Sequence, residues 1–138
     1  MHRYKKFLVV CLSVVIIILI IFIQNREVTV HDSFSETGTN QYTEEITIIA
    51  NRLIIWDTEE FAEEIIQKCI ENSFKEIRFS YDLRGYPTEL RIHVYTNKLL
   101  WHNHVKSFEI IYAQDSSNNP PYNIKDNPEK FEMKIIKN

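Results

Sequence analysis

The chain reads as an α+β protein with an N-terminal transmembrane helix. A small domain follows, in which one amphipathic helix packs on a mainly antiparallel sheet of about four to five strands. Three observations predict this. Residues 7–23 are an unbroken apolar run. Residues 57–73 carry apolar side chains at helical spacing. Several later stretches alternate apolar and polar residues with period two.

The apolar run, Phe7 to Ile23, includes Cys11 and Ile17 and holds no charge. Seventeen helical residues span roughly 25 Å, the short end for a hydrocarbon core of about 30 Å. A cleaved secretory signal is the rival, but its apolar core is usually about 7–15 residues and ends at a small-x-small site. Gln24-Asn25-Arg26-Glu27 offers no such site. A lipoprotein signal is a weaker rival: Cys11 follows bulky Val10, and the run continues twelve residues beyond it. The reading is an uncleaved, single-pass anchor in the lipid bilayer.

Arg3, Lys5 and Lys6 precede the run. The positive-inside tendency then places residues 1–6 in the cytoplasm and the C-terminal domain outside. The chain has 16 Lys/Arg and 19 Asp/Glu, a net charge of −3, and the head holds three of the bases and no acid. The exterior part is therefore distinctly acidic. Nucleic acid is a poor partner for it, because phosphate neutralisation needs clustered Lys and Arg.

Only two glycines occur, which excludes a Gly-rich phosphate loop. Cys11 and Cys69 fall on different sides of the bilayer boundary, so no disulfide is expected. Ile, Asn, Lys and Glu are frequent and Ala occurs three times. This bias matches an AT-rich genome and points to a low-GC Gram-positive bacterium.

Residues 24–43 read as a juxtamembrane linker, polar and without sustained period over 31–43. Thirteen flexible residues reach roughly 20 Å, which keeps the domain of 44–138 close to the membrane. Residues 44–56 read as strand, with a phase slip near Ala50-Asn51 that implies a bulge or break. Over 57–73, Asp57 is a helix cap, Glu60 sits where a capping-box carboxylate belongs, and Phe61, Ala62, Ile65, Ile66, Cys69 and Ile70 share one face.

Three alternating stretches follow. Residues 75–83 set Ile77, Phe79 and Tyr81 against Arg78, Ser80 and Asp82. Residues 88–96 set Leu90, Ile92 and Val94 against Glu89, Arg91, His93 and Tyr95. Residues 105–113 set Phe108, Ile110 and Tyr112 against Ser107 and Glu109. Such patterns predict an antiparallel meander with one covered face. Arg84-Gly85-Tyr86-Pro87 forms a turn, 97–104 a short helix or loop, 114–128 an irregular segment, and 130–136 a last strand.

Four groupings carry candidate chemistry. His102 and His104, with His93, are weak candidates for a metal site. Cys69 lies on an apolar helix face, where a buried thiol is expected rather than a nucleophile. The glutamates of 59–64 suit a solvated helix start. Arg78, Arg91, His93, Tyr95 and Glu109 would share the outer sheet face, a mixture suited to protein binding or to cross-strand ion pairs.

The functional expectation is a non-catalytic extracytoplasmic interaction module, tethered to the membrane and meeting another membrane or envelope protein. No cofactor is expected. The alternative is a small envelope metal-dependent hydrolase built on His93, His102 and His104.

Overall fold

The computed structural model describes residues 2–118 and 120–138. Met1, in the basic head, and Asn119, in the 114–128 segment, lie outside the described residues.

Helix α1 spans His2–Gln24. It extends well beyond the apolar run, because nothing in the head breaks a helix, and Arg3, Lys5 and Lys6 form part of its first turns. Its 23 residues measure about 34 Å, enough to cross a hydrocarbon core with a margin at each end. Phe7, Cys11 and Ile17 are exposed along it, and Ile23 is half-buried where the domain begins. The helix is long and apolar enough to span a membrane.

Five strands form one sheet in the order β1-β2-β3-β4-β5. They are β1 Thr29–Gly38, β2 Gln41–Ile49, β3 Glu89–Tyr95, β4 Phe108–Gln114 and β5 Phe131–Lys137. Three of the four pairings are antiparallel, and β2 with β3 is parallel. The α+β reading of the sequence therefore holds, with a mixed sheet. Parallel neighbours need a crossover. Helix α2, Thr58–Glu71, supplies it.

The strand β1 corrects the linker reading. Residues 31–43 are strand and turn, and only Asn25–Val28 separate α1 from the sheet. An edge strand needs no apolar inner row. Ser33 and Ser35 oppose Ile46 and Glu44, and Asp32, Phe34 and Glu36 oppose Thr47, Glu45 and Thr43. A bulge between Val30 and Asp32 and the two acids blunt this free edge. Gly38 pairs with Gln41, and Asn40 takes φ 60° in the tight turn between them.

Residues 75–83 also differ from expectation. They run irregularly into a short helix, α3, Tyr81–Arg84. The Asn72 side chain stands in for a strand partner: its amide donates to Phe79 O at 2.8 Å, and its Oδ1 accepts from Phe79 N at 2.8 Å. Phe79 and Tyr81 are buried and stacked, ring centroids 5.3 Å apart. Alternation here records burial of aromatics, not a ladder.

Helix α2 forms as its cap and spacing predict. Asp57 Oδ1 accepts from the amides of Glu59 and Glu60, both at 3.0 Å, and Asn72 closes the helix at φ 55°. Phe61, Ala62, Ile65, Ile66 and Cys69 are buried against Ile46, Ile48, Leu90, Ile92, Val94, Phe108 and Ile110. Each such aliphatic side chain contributes about 1.5–3 kcal/mol by leaving water. The phase slip near Ala50-Asn51 is a real exit from the sheet: β2 ends at Ile49, Asn51 has φ 57°, and 50–57 is loop. Helix α4, Lys98–His102, joins β3 to β4, with Asn97 Oδ1 accepting from Leu100 N at 3.1 Å.

The register gives the sheet two ends. β1 begins, β2 and β3 finish, β4 begins and β5 finishes at the end next to α1. We call this the proximal end. The β1–β2 turn and residues 115–118 and 120–127 lie at the distal end.

Candidate binding surface

Among the described residues, alternation sets one face of the sheet under α2 and leaves the other without a helix over its middle. Arg91, His93 and Tyr95 project from β3 onto this outer face, and Glu109 opposes His93 on β4. Four of the five residues expected to share a face are therefore together. Arg78 is not. It lies in the irregular segment after α2, where its guanidinium donates to Asn72 O, because 75–83 never joins the sheet.

His93 is the hub. Its Nε2 donates to Glu45 Oε1 at 2.8 Å across the parallel β2–β3 pair. That tautomer leaves Nδ1 free to accept from Lys106 Nζ at 3.4 Å, and Lys106 also donates to Glu109 Oε2 at 3.1 Å. Glu109 Oε2 stands 3.8 Å from His93 Nδ1. Arg91 pairs along its own strand with Glu89 at 2.6 Å rather than across to Glu109. The Glu89 carboxylate holds the Arg91 guanidinium still more firmly protonated, first by the hydrogen bond and then by its charge. Partly exposed pairs of this kind contribute at most about 1 kcal/mol each. Their effect is to fix side-chain positions on an open face.

Glu45 and Lys106 belong to this cluster and did not stand out in the sequence. Glu45 alternates with buried Ile46, so its outward parity was available; Lys106 precedes β4 and gave no periodic signal.

Distal to the hub, Glu36, Gly38, Gln41, Thr43, Glu45, Glu89 and Arg91 line a hollow of about 210 Å³. It adjoins a second of about 330 Å³ that shares Gln41, Thr43 and Glu89 and reaches Thr88, Gln114 and Asp115. The hollow holds three carboxylates against one guanidinium, which Glu89 already neutralises. Phe34 stands 62% exposed on β1, opposite Glu45.

The histidines do not converge. His93 is on the outer face with Glu45, His102 ends α4 with its ring 4.8 Å from Trp101, and His104 is exposed with φ 57°. Among the described residues, no group of three or more His, Cys, Asp or Glu side chains could hold a metal ion. Cys69 is fully buried, and burial first, then the Glu44 charge, pushes its thiol well up from the ordinary range. A thiol so held is no nucleophile.

One polar cluster lies inside. Glu44 is 1% exposed on the α2 side of the sheet. Its Oε2 accepts from Tyr42 OH and from Ser35 Oγ, both at 2.7 Å. Burial, then the hydrogen bond to Glu44, pushes the Tyr42 hydroxyl up to about 12.

Compared with known proteins, the chain matches no protein family, no curated protein and no solved structure.

Proposed function

We propose that this protein is a non-catalytic, membrane-tethered module of a bacterial envelope. The helix α1 stays uncleaved as a single-pass anchor, with its basic head in the cytoplasm and the α+β domain outside. The outer sheet face and its distal hollow receive a segment of another membrane or envelope protein. The observation that carries the reading is the uncovered, pre-organised face centred on His93. Glu45 is already positioned by its hydrogen bond to His93, Lys106 by His93 and Glu109, and Arg91 by Glu89, so little rotamer freedom remains to be lost on binding. The excess of carboxylates around the hollow favours a partner segment carrying Lys or Arg.

Site-specific photo-crosslinking in native membranes tests this. A crosslinking residue replaces Arg91 on the outer face or Glu63 on the solvent side of α2. The expected result is a discrete adduct from position 91 that position 63 does not give, lost when Glu45 and Glu89 are changed to Lys. Identical patterns from the two positions, or no adduct from either, refute the binding face.

A further inference from the structure

The proximal end of the domain carries an apolar rim that the partner-binding reading does not use. Among the described residues outside α1, eight large apolar side chains are exposed: Phe34 and Leu83 lie elsewhere, and Leu53, Ile54, Trp56, Leu99, Val105 and Ile136 are at or beside the proximal end. Their placement follows from the register. The 50–57 loop leaves β2 there, with Ala50 N donating to Tyr95 O and Arg52 N to Thr96 O. Helix α4 and Val105 fill the β3–β4 connection at the same end, and Ile136 pairs with Glu109 near the finish of β5.

The loop is fastened to the last residue of the membrane-spanning helix. Gln24 Nε2 donates to Ile54 O, and Gln24 Oε1 accepts from Leu53 N at 3.3 Å. Asn51 Nδ2 donates to Glu27 O at 2.8 Å and to Thr29 Oγ1 at 2.7 Å. Leu53 and Ile54 are therefore held at the level where α1 leaves the hydrocarbon, and Trp56, 81% exposed, lies two residues on. Exposed indole and aliphatic side chains at that height match the water–lipid boundary, where tryptophan is enriched.

Charge agrees. The chain is acidic, yet residues 96–107 contain Lys98, His102, His104 and Lys106 and no carboxylate. Arg26 and Lys98 make no ion pair among the described residues, whereas Glu27 is engaged by Lys75 and Asp57 caps α2. Unpaired cations beside an apolar rim suit an anionic lipid surface.

We infer that the proximal end of the domain is a second membrane contact: Leu53, Ile54, Trp56 and Leu99 insert into the interfacial region of the outer leaflet around the emerging anchor, and Arg26 and Lys98 meet its phosphate headgroups. The inference rests on the anchor reading of α1. It turns a domain hung from a membrane into one seated on it, with the strands standing away from the bilayer and the outer face presented sideways.

Tryptophan quenching in the full-length protein tests it. The chain has two tryptophans, so the wild type and W56F are reconstituted into phosphatidylcholine–phosphatidylglycerol vesicles whose acyl chains are brominated near the glycerol end. Flotation of the vesicles reads the anchor independently. The expected result is that both proteins float and that the wild type loses a large bromine-quenched component which W56F lacks. The loss should be smaller with bromine placed near the chain terminus. Flotation with no difference in quenching between the two overturns the second contact and leaves the anchor standing. Failure to float overturns both. A Trp56 emission that is unquenched but shifts to the blue as the protein-to-lipid ratio rises assigns the rim to a second copy of the chain, and overturns the lipid contact.

Discussion

Replacing Tyr42 with Phe removes one hydroxyl from the centre of the buried polar cluster. Tyr42 OH donates to Glu44 Oε2 at 2.7 Å, and Ser35 Oγ is the other donor to that oxygen. Tyr42 is 8% exposed and Glu44 1%, so water cannot replace the lost donor without opening the sheet edge. A buried acceptor deprived of a partner costs about 1–3 kcal/mol. For a domain of this size that lowers the melting midpoint by roughly 4–12 °C. The test is a double-mutant cycle on the full-length protein in micelles, with Y42F, E44L and both together, followed by tryptophan fluorescence during urea unfolding. E44L alone should also cost about 1–3 kcal/mol, since it leaves the buried Tyr42 hydroxyl without its acceptor. In the E44L background Y42F should cost little, which leaves a coupling of about 1 kcal/mol or more. A coupling below about 0.5 kcal/mol would refute the claim that the tyrosine is there to satisfy the glutamate.

The other predictions concern the cap, the core, alkaline pH and the thiol. D57A should destabilise the protein by about 1 kcal/mol, because two α2 amides lose their acceptor, while D57S should recover most of it; equal melting points for all three would sink the capping account. I92A should cost about 2–5 kcal/mol, because Ile92 is fully buried where β3 meets α2, and a loss near zero would show that the site collapses freely. The Tyr42 hydroxyl is raised from 10 to about 12 in the folded chain, so its share of stability is complete below pH 10 and is lost as pH rises through 12. Cys69 and Tyr81 are raised in the same sense, chiefly by burial, so the melting midpoint should fall steeply over that window, and Y42F should flatten part of the fall. Cys69 should resist a maleimide in the native protein and react after unfolding, as read by intact mass; rapid native labelling would contradict its burial.

The most legible elements carried two independent signals. Helix α2 had both Asp57 and a helical apolar face, and β3 had strict alternation with a turn before it. β1 had neither, because an edge strand whose inner row is Ser33 and Ser35 has the composition of a linker. The parallel β2–β3 pairing was invisible for another reason: period two reports which face a residue takes and says nothing about the neighbouring strand. The candidate face followed the same division. Arg91, His93, Tyr95 and Glu109 were found by parity, whereas Arg78 was placed with them by an alternation that serves Phe79 and Tyr81 in a non-strand segment. Lys106 became visible only when the β3–β4 connection folded it back onto His93.

The connection Asn25–Val28 is four residues long, and side chains on both flanks pin it: Gln24 to the 50–57 loop, Asn51 to Glu27 and Thr29, and Lys75 to Glu27 at 2.5 Å. Such a joint transmits rotation. Successive helical residues point about 100° apart, so a neighbour that grips α1 one residue further along meets it from a different bearing. The sheet turns with the helix, and the His93 face sweeps through the same angle about the α1 axis. With α1 anchored as proposed, the compass direction in which that face looks would be set by the side of α1 that a neighbour grips.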